Sequence, residues 1–365
     1  MRISSADKDT VLRYLSDRRR EVVNYISSFG LNYLVSEAHV RDVLLSYPMR
    51  GGKTLRPAFV ALAASAASGK DESERTLPLQ AAVELYHNWT LIHDDIIDED
   101  DFRRGAPSLH REIEELAKKD GISGDVEKYG KDIAMLVGDL MHGFVNLLIL
   151  RLVDRGVSKE TVIGILRLMY AELTPALLDG EARDVRFARE SVGAVSEEQV
   201  LEMLEGKTAA LFEFCGTAGA MVGLDTDNPA HPRVKSLAGF SRAAGLAFQI
   251  QDDILGIVGD QEKLGKPRGS DLREGKHTLL LLHALRHGND EQVGILKNLL
   301  GKKDISEEEV NEAERILRDI GSLEYVGNVA REYMEEGLPY LEELPPSEAR
   351  DMLAGIAKFM IQREF

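Results

Sequence analysis

Between Glu84 and Gly105 the chain reads ELYHNWTLIHDDIIDEDDFRRG. Leu85, Trp89, Ile92, Ile96 and Ile97 keep a helical apolar period, so a helix runs into the acidic cluster. On that helix Asp94 and Asp98 stand one turn apart and point the same way, with Asp95 beside them. Carboxylates this close repel one another, and a helix C-terminus disfavours anions further. A surface helix gains nothing from such an arrangement. A site that gathers a hard dication does, because Mg²⁺ is held by one or two carboxylates together with substrate phosphate oxygens. Arg103 and Arg104 follow at once, and guanidinium groups match phosphate oxygens with two parallel hydrogen bonds.

A second carboxylate pair ends the run Phe248-Gln249-Ile250-Gln251-Asp252-Asp253, after a stretch of small and apolar residues that starts near Val234. Two acidic pairs, each closing an apolar helix, are hard to explain as solvated faces. The loop that follows, from Gly259 to Lys276, is rich in glycine and cations, and Lys266 and Lys276 are placed to close over phosphates. Two weaker basic segments lie elsewhere. Lys53 and Arg56 follow Gly51-Gly52 and sit three apart at the start of a helix, where free backbone N–H groups already favour anions. Taken alone, that segment is equally a turn with solvated cations. Lys207-Thr208, just after Gly206, is uninformative by itself. Asp139 and His142 interrupt an apolar helix over residues 133–150 and read as satisfied core polar groups rather than ligands.

The elements that must position these residues are helical. A charged outer helix is expected from Asp7 to about Phe29, a second around Glu37 to Leu45, and an alanine-rich one over Ala58 to Ala67. Residues 68–76 read as loop, and residues 111–132, charged and glycine-spotted, as surface structure and loop. Ser158 opens a helix that ends near Gly180 to Asp184. Ser196 with Gln199 and Ser306 with Glu309 are capping boxes, and Ser347 caps the last helix. Almost no stretch alternates with period two and no fixed-period repeat occurs, so the fold class is all-α, in one domain over residues 1–365.

At 365 residues the chain can bury a large core. The formal charge of -17, with no basic stripe, excludes a non-specific nucleic-acid binder. Cys215 is the only cysteine, so an internal disulfide is impossible, and it reads as a small buried hydrophobe in a reducing compartment. The N-terminus lacks the apolar core of a signal peptide. The most membrane-like run, residues 133–150, is broken by Asp139 and His142, whereas a span needs about 20 predominantly apolar residues. A soluble, cytoplasmic protein without a membrane span is expected.

Taken together, these segments resemble the trans-isoprenyl diphosphate synthases of the polyprenyl synthetase family, over about Pro48 to about Leu285. Gly51-Gly52-Lys53-Thr54-Leu55-Arg56-Pro57 resembles the family's isopentenyl diphosphate-binding segment, and Asp94-Asp95-Ile96-Ile97-Asp98 its first aspartate-rich motif. Arg103-Arg104, Lys207-Thr208, Phe248-Gln249, Asp252-Asp253 and Lys266 match further positions in the same order. The resemblance implies a large bundle of mostly antiparallel helices around a central cavity, usually a homodimer. Outer N-terminal helices would occupy about residues 1–47, the catalytic core about 48–285 and C-terminal helices about 286–365. It implies head-to-tail condensation of an allylic diphosphate with isopentenyl diphosphate. Mg²⁺, three ions with the allylic diphosphate bound, would be held by Asp94, Asp98 and Asp252, supported by Asp95, itself a candidate ligand, and by Asp253. Arg103, Lys207, Gln249 and Lys266 would hold the allylic diphosphate, with Thr208 nearby, and Lys276 of the loop is a further substrate-binding candidate. Lys53, Arg56, His87 and Arg104 would hold isopentenyl diphosphate. The released diphosphate would take the final proton. One departure stands out: the third position of the second aspartate-rich motif is Gly256, which leaves one metal contact in question.

Trp89 lies five residues before Asp94, about 7.5 Å along the helix axis, and Tyr86 three residues earlier still. In the family, bulk at this depth is the floor that stops chain growth. With no two-residue insertion in the first motif and a small Thr90, resemblance to archaeal-type short-chain synthases favours geranylgeranyl diphosphate (C20), with farnesyl diphosphate (C15) as the alternative if Tyr86 shortens the space. A terpene cyclase would lack a reason for Lys53, Arg56 and the second aspartate pair. A non-catalytic partner subunit would be expected to have lost an acidic motif.

Overall fold

The computed structural model describes residues 6–191, 193–259 and 267–362. The described residues are all-α apart from one ribbon of two two-residue strands, and the helices gather into two compact units.

One unit comprises Asp7–Leu166 and Ala218–Pro229. Its helices are α1 (Lys8–Ser28), α2 (Ala38–Val43), α3 (Ser46–Arg50), α4 (Leu55–Ser68) and α5 (Leu77–Ile97). The ribbon β1 (Phe102–Arg103) and β2 (Ala106–Pro107) follows, then α6 (Leu109–Lys119), α7 (Val126–Leu150) and α8 (Lys159–Leu168). Each start has a chemical reason. Asp7 accepts from the Thr10 N–H at 3.0 Å and Asp125 from the Lys128 N–H at 3.0 Å, while Pro78 sits in the first turn of α5, where its missing N–H costs nothing. Alanines 58, 61, 63, 64, 66 and 67 of α4 are all buried, so this helix packs by close backbone approach. At Gly138 of α7 the His93 ring of α5 lies where a Cβ would be.

The other unit comprises Arg167–Thr217 and residues 230–362 of the described chain. It contains α9 (Thr174–Phe187), α10 (Glu197–Leu204), α11 (Ala210–Leu224), which runs out of the unit, and α12 (Pro232–Val258). Beyond them come α13 (Ser270–Glu274), α14 (Leu279–His287), α15 (Asp290–Leu299), α16 (Glu307–Asp319), α17 (Ser322–Glu342) and α18 (Glu348–Ile361). Ser196 with Gln199, Asn289 with Gln292 and Ser306 with Glu309 form reciprocal capping boxes, and Ser347 accepts from the Arg350 N–H. Leu246, Ile250 and Ile254 of α12 share a core with Val326 and Ala330 of α17, each large apolar side chain contributing about 1.5–3 kcal/mol. Two wide helical turns, Met169–Leu173 and Glu205–Ala209, join α8 to α9 and α10 to α11. Such turns insert one extra residue and re-aim the side chains that follow.

Three local expectations change. Residues 111–132 contain most of α6, and α7 begins at Val126 rather than Ile133, because Asp125 supplies a cap that hydropathy alone does not register. The helix after Ser158 continues to Phe187. Asp139 is 66% exposed beside His93 rather than set in the core.

Candidate active site

In the first unit α5 carries the acidic segment to its end, and Asp98 closes it with its N–H on the Asp94 carbonyl at 2.8 Å. Asp94 and Asp98 are half-buried, and Asp95 is fully buried. Asp95 is the carboxylate already engaged: Arg103 donates to one oxygen through Nε at 2.7 Å and through Nη2, and the Tyr47 hydroxyl donates to the other. Burial pushes Asp95 up to about 6 against the pull of Arg103. Burial works against the charge on Arg103 too, but Asp95, Asp100 and Asp94 more than offset it and hold its proton more firmly than usual. The geometry therefore separates the three aspartates, leaving Asp94 and Asp98 as the pair facing a common side one turn apart.

The basic residues converge around His87. Burial, then the charges of Arg56, Arg104 and Arg103, hold its pKa well below the ordinary value, so it is neutral at pH 7. Arg104 donates to the Tyr47 carbonyl at 2.9 Å and to Asn88 Oδ1 at 3.3 Å, and Glu84 lies 4.0 Å from it. The Gly51-Gly52 turn is shaped by arginines. A Cβ on Gly52 would stand 3.0 Å from Arg104 Nη2, and Gly51, at φ +85°, lies against the guanidinium of Arg19 from α1. Lys53 is exposed at the mouth of this segment and Arg56 half-buried. Glu84, Asn88, Tyr47 and Arg19 were not legible as site residues, because their contacts join distant parts of the chain.

A half-buried histidine that resists protonation makes stability fall in acid. The unfolded chain takes up a proton as pH drops through about 6.5, whereas folded His87 does not, so the unfolded state binds more protons there. His87→Gln is expected to flatten the loss of unfolding free energy between pH 7 and 5 in urea titrations. An unchanged slope would show that His87 titrates normally.

Deeper on α5, Tyr86 is fully buried and Trp89 is 8% exposed. The Trp89 indole stacks on His142 of α7, centroids 4.2 Å apart, and meets Tyr86 edge-on at 4.9 Å. Thr90 turns its hydroxyl back to the His87 carbonyl at 2.8 Å and adds little bulk. His142, read from sequence as a core polar group, is thus the base on which Trp89 rests.

In the second unit Lys207 and Thr208 lie on the wide turn Glu205–Ala209. Gly180 of α9 lets this turn approach, since a Cβ there would collide with the Lys207 backbone. Lys207 Nζ then meets Asp184 at 2.6 Å and Glu181 at 2.7 Å. Thr208 donates to Gln249 Oε1 at 2.9 Å, and Gln249 in turn donates to Asp253 at 2.9 Å. Burial, with Asp271, Asp252 and Asp184 adding repulsion, raises Asp253 to about 8. Asp252 is half-buried beside it. Lys276 pairs with Glu274 and lies 3.7 Å from Asp184. Lys266 falls outside the described residues. Gly256 receives a physical reading: a Cβ at that position would stand 3.3 Å from Asp271 Oδ2, so a carboxylate from α13 already occupies that neighbourhood. Sequence reasoning passed over Glu181, Asp184 and Asp271; Asp184 sat in view only as the end of a helix.

Among the described residues, no three carboxylate, histidine or cysteine side chains are grouped to enclose a metal ion by themselves. The hard carboxylate oxygens of Asp94 and Asp98 suit Mg²⁺, which commonly completes its octahedron with substrate phosphate and water. The helical fold is the all-α isoprenoid synthase fold. The likeness extends to solved structures: geranylgeranyl pyrophosphate synthetase from Pyrococcus horikoshii has TM-score 0.81 and 32% identity, covering 98% of this chain and 99% of that one. Geranylgeranyl pyrophosphate synthase from Corynebacterium glutamicum, complexed with isoprenyl diphosphate and magnesium, has TM-score 0.83 and 28% identity over 98% and 100%. The polyprenyl synthetase family model matches residues 37–317. Geranylgeranyl diphosphate synthases of Methanosarcina mazei and Saccharolobus solfataricus are 36% and 35% identical, covering 86% and 94% of this chain and 87% and 96% of theirs. Geranylfarnesyl diphosphate synthase of Aeropyrum pernix is 33% identical over 86% of this chain and 91% of its own. The chain belongs to the polyprenyl synthetase family and is a trans-prenyltransferase.

Proposed function

We propose that this prenyltransferase makes geranylgeranyl diphosphate (C20) from isopentenyl diphosphate and shorter allylic primers, as a Mg²⁺-dependent, cytoplasmic homodimer whose two units act as one isoprenoid-synthase domain. The observation that carries the product length is the Trp89 indole resting on His142, with Tyr86 fully buried at its edge. Tyr86 presents no surface of its own, so it braces Trp89 instead of shortening the space, which favours C20 over C15.

Asp94, Asp98 and Asp252 would hold magnesium, three ions with the allylic diphosphate in place. Bound magnesium supplies the positive charge that stabilises the departing diphosphate. Arg103, Lys207, Gln249 and Lys266 orient the allylic diphosphate, assisted by Thr208 and Lys276. Lys53, Arg56, His87 and Arg104 fix isopentenyl diphosphate for attack on the allylic carbon. Neutral His87 serves as a hydrogen-bond donor to phosphate while adding no charge to three neighbouring arginines. The direct test uses radiolabelled isopentenyl diphosphate with C5, C10 and C15 primers, products sized after phosphatase treatment. A dominant C20 alcohol is expected; a dominant C15 or C25 product would overturn the assignment.

The homodimer reading rests on α7. Leu136, Leu147 and Leu150 are exposed, and with Gly143 they line one face of the helix at spacings of seven, four and three residues. By length and composition Val126–Arg155 is also long and apolar enough to cross a membrane, yet Asp139 and His142 interrupt it. An apolar stripe of this kind marks a protein interface. Leu147→Glu is expected to convert the dimer to monomer in sedimentation experiments at micromolar concentration; an unchanged mass would place the interface elsewhere.

A further inference from the structure

The adjacent arginines of the first unit are held by one residue that no motif assigns. Tyr47 is 1% exposed, its ring covered by the Arg50 guanidinium 5.0 Å from the centroid. Its hydroxyl accepts the Leu109 N–H at 2.8 Å and donates to Asp95, whose other oxygen receives Arg103. Its backbone carbonyl receives Arg104 Nη1 at 2.9 Å. We propose that Tyr47 is a positioning residue for both diphosphates, setting Arg103 through its hydroxyl and Asp95, and Arg104 through its carbonyl. The proposal rests on the reading that Arg103 serves the allylic substrate and Arg104 isopentenyl diphosphate.

The need for such a device follows from the local charges. Arg103 is surrounded by Asp94, Asp95 and Asp100, any of which would capture a mobile guanidinium. A pairing of Arg103 with Asp94 would remove one carboxylate from the metal and one cation from the diphosphate together. Asp95 prevents this by holding Nε and Nη2 from one side, and the Tyr47 hydroxyl fixes which way the Asp95 carboxylate faces. Asp100 steadies the same Nη2 at 3.0 Å, which leaves Nη1 available to a ligand. Arg104, at φ +56°, turns the opposite way and reaches the Tyr47 carbonyl across the Gly52 backbone.

The two legs are chemically separable, because replacing the hydroxyl leaves the carbonyl in place. Tyr47→Phe is expected to raise KM for the allylic diphosphate about tenfold, the scale of one hydrogen bond to a charged group, and to leave KM for isopentenyl diphosphate within about twofold. Tyr47→Phe also strands the Leu109 N–H and lowers the melting temperature. A second variant, Asp95→Asn, therefore removes the charge from the Arg103 leg with the Leu109 contact kept, and the same one-sided KM shift is expected. Binding of inorganic diphosphate with Mg²⁺, read by calorimetry, should weaken in parallel. A purely structural role would reduce the active fraction and kcat with both KM values unchanged, and that result in both variants would overturn the proposal. Arg103→Ala is the control. If it raises the allylic KM and the other two do not, Tyr47 does not position it. If it leaves the allylic KM unchanged, the assignment of Arg103 fails and the proposal falls with it.

Discussion

Asp94→Ala is expected to lower kcat by about 10²–10³-fold, the scale for losing one pre-organised charge-stabilising group. The effect on stability should have the opposite sign. Asp94 sits four residues before Asp98 in the last turn of α5, where like charges repel and the helix dipole disfavours anions. Alanine relieves both, so the variant should melt at or slightly above the parent temperature while losing nearly all turnover. That combination is the mark of a residue kept for function at a cost to the fold. Steady-state kinetics beside thermal melts read both halves. Near-normal turnover would refute the role, and a lower melting temperature would mean the activity loss is a folding defect.

The second large effect is expected at Trp89. Truncation to alanine removes the indole between Tyr86 and His142 and opens a void the size of the ring. Large aromatic-to-alanine changes in a packed core cost about 3–5 kcal/mol, and this site should reach the lower end because the ring keeps a small exposed surface. The same void lies one and a half turns from Asp94, so the growing chain gains room for at least one more C5 unit. Product sizing should show chains longer than C20, with C20 diminished. An unchanged distribution together with the stability loss would make Trp89 ordinary core and move the floor elsewhere.

How much was legible in the sequence depended on whether a relation was local. The helical period from Leu85 to Ile97 fixes the one-turn spacing of Asp94 and Asp98, and capping boxes such as Ser196 with Gln199 mark helix starts, because both involve neighbours within four residues. Which aspartate is tied down was not legible. Asp95 differs from Asp94 only through Tyr47, 48 residues earlier, and Arg103. The same holds for Lys207, whose partner Asp184 lies 23 residues away and reaches it only because Gly180 permits the approach. Helix α6 was missed for a different reason. Its apolar positions are few and its charges many, so its short buried stripe of Leu109, Ile113 and Ala117 reads as surface. The wide turn under Lys207 has no sequence signature at all.

The claim on which the rest depends is that Asp94 and Asp252 act on the same diphosphate. A double-mutant cycle on kcat/KM with Asp94→Ala, Asp252→Ala and the pair tests it most directly. Residues gripping one leaving group act as a unit, so the double variant should lose little more than the worse single one. Losses that multiply, each aspartate contributing independently of the other, would contradict it.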